Sequence, residues 1–139
     1  MANNGNAERG TAAVEMVLIA PVLIVLLAAV VGAGRIVSTK SAVLAVAREA
    51  ARAASDATDA SGAIALARQR ADQVAAGFGL DPSRLEISQS PGGYERGAPY
   101  VVTVSYRIEL DDLPGLGFVP GSFVVSSAHT ELIDRYKSR

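Results

Sequence analysis

The stretch RGTAAVEMVLIAPVLIVLLAAVVGAGR, residues 9–35, decides how the rest of the chain is read. Its nineteen residues from Met16 to Gly34 carry no charge. As a helix rising 1.5 Å per residue they span roughly 28 Å, close to the thickness of a bilayer core. The run is apolar on every face, and a soluble fold would have to surround it with protein. The rest of a 139-residue chain is too small for that. A transmembrane helix is therefore expected over residues 11–35. Pro21 lies inside it, removes one amide donor and crowds the carbonyl of Val17, which predicts a kink or loosened turn. Ala28 and Gly32 form a pair of small residues one turn apart, as do Ala29 and Ala33, and such pairs let a neighbouring helix approach closely. In an alanine-rich chain they also arise by chance.

Downstream, residues 36–54 stay rich in alanine and favour helix, with Ile36, Val43, Ala47, Ala50 and Ala54 near helical spacing. The membrane helix is expected to continue outward as a spine. Ser55 to Gly62 is polar, small and rich in cap and turn formers, and marks a break. Ile64, Ala67, Ala71, Val74 and Phe78 then recur at three and four residues, predicting a second helix ended by Gly77 or Gly79. Past Asp81-Pro82 the period becomes two. Leu85 and Ile87 mark a short strand, and Pro91-Gly92-Gly93 to Gly97 a loop. Tyr100, Val102, Val104, Tyr106, Ile108 and Leu110 share one face of a long strand, and Phe123 to Leu132 forms a third. The connection Asp111–Gly121 holds Leu113, Leu116, Phe118 and Val119, more apolar residues than a solvated loop needs; they are expected to tuck onto the sheet or to meet a partner. The predicted fold class is α+β: a long N-terminal membrane-spanning helix running into a spine, then a small head, residues 55–139, with a second helix and an antiparallel sheet of about three strands packed on that helix or on the spine.

Composition narrows the function classes. The formal net charge is −1, so no electrostatic footprint for nucleic acid exists. Cysteine is absent, which removes disulfides, thiolate metal sites and thiol nucleophiles. His129 is the only histidine. It lies in a strand pattern with no ligand or triad spacing around it, so neither a metal site nor serine hydrolase chemistry is expected. Gly32-Ala33-Gly34 lies inside the apolar helix, the wrong context for a phosphate loop. Asp111-Asp112 before Pro114-Gly115 reads as turn chemistry, with calcium the functional alternative. Tyr94, Glu95 and Arg96 sit in a Gly-bounded loop open to a partner. No cofactor and no enzymatic activity are expected.

On the N-terminal side, residues 1–10 (MANNGNAERG) are polar and short, and the chain turns apolar at once except for Glu15. A carboxylate at mid-bilayer costs on the order of 3 kcal/mol, so this acid needs a reason. Depth is one: Glu15 can sit at the interface, in the first turn of a helix whose dipole favours it. A capping box is not one, because Glu15 stands four residues after Thr11 where that motif needs three. The other reason joins Gly10 closing a polar leader, Glu15 five residues later, and the apolar helix that follows. In these features the chain resembles the prepilin class of type IV pilins and pseudopilins. Arg9-Gly10-Thr11-Ala12-Ala13-Val14-Glu15, Pro21, Gly34-Arg35 and Ala47-Arg48-Glu49-Ala50-Ala51-Arg52-Ala53-Ala54 narrow the likeness to TadE-like proteins, minor pilins or pseudopilins of the tight-adherence (Tad, Flp) pilus. Met16 departs from that family's pattern, in which an aromatic residue often follows the acid.

The resemblance implies a leader, residues 1–10, removed by a prepilin peptidase between Gly10 and Thr11. It gives Glu15 a role in subunit assembly and names as partners the peptidase, other pilins or pseudopilins, the Tad membrane assembly proteins and the membrane. It also implies a cytoplasmic N-terminus with the head outside. Charge counting points the other way, since Arg9 alone flanks the helix on one side while Arg35, Lys40, Arg48 and Arg52 follow on the other. Two other readings remain at this level: a secreted protein whose signal peptide is cut near Gly34, after Val31-Gly32-Ala33, and a single-span anchor that is never cut.

Overall fold

The computed structural model describes residues 4–90, 94, 95, 97–115, 117 and 120–133, with side-chain surroundings from residue 14 onward. One helix, α1 (Asn4–Ser55), accounts for 52 residues, roughly 78 Å of continuous rod. It stays helical through Pro21. Apolar segment and spine are thus one element, as the helix-favouring composition across residue 35 implied. It starts inside the polar leader, so Glu15 lies about three turns in and not in the first turn. In the uncut chain the dipole of a helix start therefore does nothing for this acid, which corrects that expectation.

The two halves of α1 have opposite surroundings. From Val14 to Val31 every residue except Ala28 is exposed, Met16 by 75% and Ile24 by 67%, whereas Val43, Val46, Ala47, Ala50, Ala51 and Ala54 have no exposed surface. In the most apolar part of the helix only 6% is covered by the rest of the chain. Thirteen large apolar side chains stand exposed between Val14 and Val31. Even at about 1 kcal/mol each, well under the full transfer value, their removal from water favours an apolar surrounding by the order of 10 kcal/mol.

Asp59 opens the second helix, α2 (Ala60–Gly77): its carboxylate accepts from the Gly62 amide at 2.7 Å and the Ser61 hydroxyl at 2.7 Å. Gly79, at φ +71, closes it, with the Leu80 amide donating to the Ala75 carbonyl at 2.9 Å and the Gly79 amide to that of Ala76 at 3.0 Å. Of the two expected stops, Gly79 is the one used. The buried stripe is Ala63, Ala67, Ala71 and Ala75, while Ile64 and Phe78, expected on the inner face, are each 56% exposed. The interface rotates because alanine against the alanines of the spine lets the two helices pack closely, and a larger side chain between them would prise them apart.

Strands β1 (Leu85–Gln89), β2 (Pro99–Glu109) and β3 (Ser122–Leu132) form an antiparallel sheet in the order β1-β2-β3. Leu85 pairs with Tyr106 and Ile87 with Val104; on the other side Val104 pairs with Ser127 and Ile108 with Phe123. Tyr100, Val102, Val104, Tyr106 and Ile108 are buried, the alternation read from the sequence. Leu110, expected to end that strand, begins a short 3₁₀ turn, Leu110–Asp112. Between α2 and the sheet, α1 makes the main contacts, and β2 and β3 lie against it; α2 touches β1 through Gln89 Nε2, which donates to the Ile64 carbonyl at 3.4 Å. The spine is therefore the platform for both the sheet and α2.

Candidate functional site, the helix and the loop beside it

The functional surface is organised along α1. The backbone at Gly10 and Thr11 is helical, and their side-chain surroundings lie outside the described residues. Glu15 is exposed. Thr11 and Glu15 are one turn apart on one face. Five turns further on, Ala33 returns to the angle of Glu15, and both Ala33 and its neighbour Ala29 are exposed. Both also line the groove beside the β2–β3 connection.

Ala28 and Gly32 are placed differently. Gly32 is buried and Ala28 half-buried, and both line a groove beside the chain's own β2–β3 connection. Leu113, Pro114 and Gly115 face Ile24, Val25, Ala28, Gly32 and Ile36 across an apolar groove. Gly115 has φ +80, and a Cβ built on it would fall 2.8 Å from the Ala28 Cβ. The connection thus reaches the apolar helix through Gly115, while Leu113 is buried in the core cluster that holds Tyr106 and Ile108 of the sheet, as expected of it; Leu116, Phe118 and Val119 lie outside the described residues. Sequence reasoning missed this seat. Its signals are Gly115, in a left-handed conformation that disfavours a side chain, and Arg35, the first charge after the apolar run.

Arg35 donates through Nη1 to the Asp112 carbonyl, and the Asp112 carboxylate accepts from Arg84. Asp112 therefore ties the turn before the loop to the top of the apolar helix and to the residues leading into β1. The role of Asp112 is thus a long-range tie beyond the turn read from its neighbours, and among the described residues no three His, Cys, Asp or Glu side chains gather as a metal set. His129 Nε2 lies 3.3 Å from Glu131 Oε1 on the inward face of β3. Tyr94, expected to be available to a partner, is used internally. Its hydroxyl lies 2.7 Å from the Ala54 carbonyl and 2.8 Å from that of Ala57, and its ring meets Tyr100 edge to face at 6.0 Å. Burial pushes the Tyr94 phenol up from its ordinary value, so it stays a donor at neutral pH. Arg96 is outside the described residues. The Arg70 guanidinium donates to Glu49 at 2.9 Å, holds that carboxyl below its usual range and pins α2 to the spine.

A bare apolar helix of membrane-crossing length, continuous with a spine that carries a small α+β head, fits a single-pass membrane protein of the anchor-and-head kind. Its anchor and spine have a family likeness: residues 10–52, just under a third of the chain, match the family model described as TadE-like protein. That likeness suggests a Tad pilus-associated protein. No curated protein and no solved structure matches the chain.

Proposed function

We propose that the chain is a minor pilin or pseudopilin of a Tad (Flp) type IV pilus. It is inserted as a precursor with its N-terminus in the cytoplasm, cut between Gly10 and Thr11 by a prepilin peptidase, and added to the pilus or its base with the head outside. The observation that carries this reading is Glu15, an exposed acid directly before the uncharged apolar run of α1, five residues after Gly10 and within the TadE-like segment. Cleavage creates an ammonium on Thr11. It and the Glu15 carboxylate each need a partner when helices bundle away from water, and subunits stacked out of step supply it to one another. The seat of Gly115 on Ala28, with Leu113 and Pro114 lining the same groove, supports a helix kept in the mature protein, since a cut near Gly34 would strip the loop of its support.

The test is the mature N-terminus of protein purified from the envelope of its host, read by mass spectrometry. Loss of residues 1–10 is expected, with Gly10→Ala leaving the precursor uncut; a wild-type chain still carrying the leader overturns the reading. Glu15→Ala is expected to be cut normally and to be depleted from sheared pili, or to leave fewer of them. Normal assembly of that variant removes the ion-pairing role.

A further inference from the structure

The β2–β3 connection runs past the charged boundary of the membrane helix. Arg35 holds the Asp112 carbonyl, so Asp112 stands level with the first charge after the apolar run. Three residues later Gly115 is packed on Ala28, seven residues before Arg35 in the helix, which places the loop roughly 10 Å further toward the span. From Leu113 to Gly121 the sequence is Leu-Pro-Gly-Leu-Gly-Phe-Val-Pro-Gly, nine residues without a polar side chain. The helix beside it is the part whose apolar surface the head leaves uncovered. No break in α1 separates the span from the spine, so the height of the loop is set by the rod.

We propose, building on the reading of α1 as a membrane span, that the exposed residues Pro114, Gly115, Gly117 and Pro120 of this connection form a membrane-interface anchor. They enter the lipid headgroup and upper acyl region of the leaflet beneath the head and seat the head on the bilayer. A headgroup layer about 5–7 Å deep on each side still hydrates backbone amides, so a loop that reaches about 10 Å exposes only its tip to hydrocarbon. Pro114 and Pro120 have no amide donor to satisfy there. Arg35 and Arg84, beside Asp112, stand at the headgroup side of the same boundary. The occupant is lipid because the loop adjoins the bare span and no polar side chain interrupts it.

The chain has no tryptophan, so a single one reports unambiguously. Gly117→Trp fits, since a Cβ at Gly117 meets nothing nearer than 3.8 Å. In nanodiscs of lipids brominated on the upper acyl chain, the full-length Gly117→Trp protein is expected to be quenched at least about twofold more than Ser126→Trp, which reports from the outer face of β3. Val25→Trp in the span controls for insertion. Quenching of Val25→Trp with Gly117→Trp no more quenched than Ser126→Trp overturns the interface anchor and leaves the span standing. An unquenched Val25→Trp overturns both. A blue shift of Gly117→Trp that grows with protein density without lipid quenching assigns the loop to a second copy and likewise overturns the proposal.

Discussion

Gly115→Ala tests the contact between loop and helix through two separable costs. The first is backbone: at φ +80 a residue with a Cβ is strained by roughly 1 kcal/mol. The second is contact: the new Cβ would sit 2.8 Å from the Ala28 Cβ, against an optimum of about 3.5–4.0 Å between carbons. Neither atom is the end of a flexible side chain, so loop or helix must move, at about 1–3 kcal/mol. The single variant is therefore expected to lose about 2–4 kcal/mol of head stability. Ala28→Gly removes the second cost and leaves the first, while adding its own helix-propensity cost of up to about 1 kcal/mol. A double-mutant cycle isolates the difference, with an expected coupling of about 1–3 kcal/mol. The assay is urea unfolding of the head in the full-length protein in micelles, followed by near-UV circular dichroism of the tyrosines, with m unchanged across the four proteins. Additivity within about 0.5 kcal/mol refutes the packing of the loop on the span.

Tyr94→Phe removes a hydroxyl placed 2.7 Å and 2.8 Å from two carbonyls at the α1–α2 turn, and is expected to cost about 1 kcal/mol in the same unfolding assay. Ala67→Leu forces a larger side chain into the fully buried alanine stripe and is expected to lose about 1–3 kcal/mol, whereas Ile64→Ala on the exposed side of α2 shifts the midpoint little. Acid weakens the head. Gly62 and Ser61 hold the Asp59 carboxyl below its usual range, Ser83 holds Asp81 there and Arg70 holds Glu49 there. A depressed folded-state pKa gives stability that is whole above the unfolded value and is lost as pH falls through the folded one. Thermal midpoints of the head are thus expected to be level from about pH 5 to 7 and to fall below about pH 4, with a shallower fall in Asp59→Asn.

The alternation from Tyr100 to Ile108 was legible because strand period and one-sided burial are both local, and the structure buries those residues. The long helix was legible because an unbroken apolar run followed by alanine offers no stop signal. Gly10, Thr11 and Glu15 stand within six residues at the start of the segment that matches the TadE-like model. The buried side of α2 was not, because periodicity marks Ile64 and Ala63 as adjacent candidates and does not weigh how closely two backbones can approach. Asp112 looked like turn chemistry from its neighbours alone, and its ties to Arg35 and Arg84 cross 77 and 28 residues of chain.

By itself the sequence determined the elements: a rod half clothed in large apolar residues and half in alanine, then a helix and three strands, with the inside and outside of the long strand. These follow from spacing within a few residues, where the backbone's own geometry sets which side chains share a face. Only the tertiary structure decided which surfaces meet. It laid the sheet on the spine, turned the alanine stripe of α2 toward it, and brought Gly115 down onto Ala28, 87 positions away. Such pairings depend on how closely distant backbones approach in space, a quantity that no local pattern encodes.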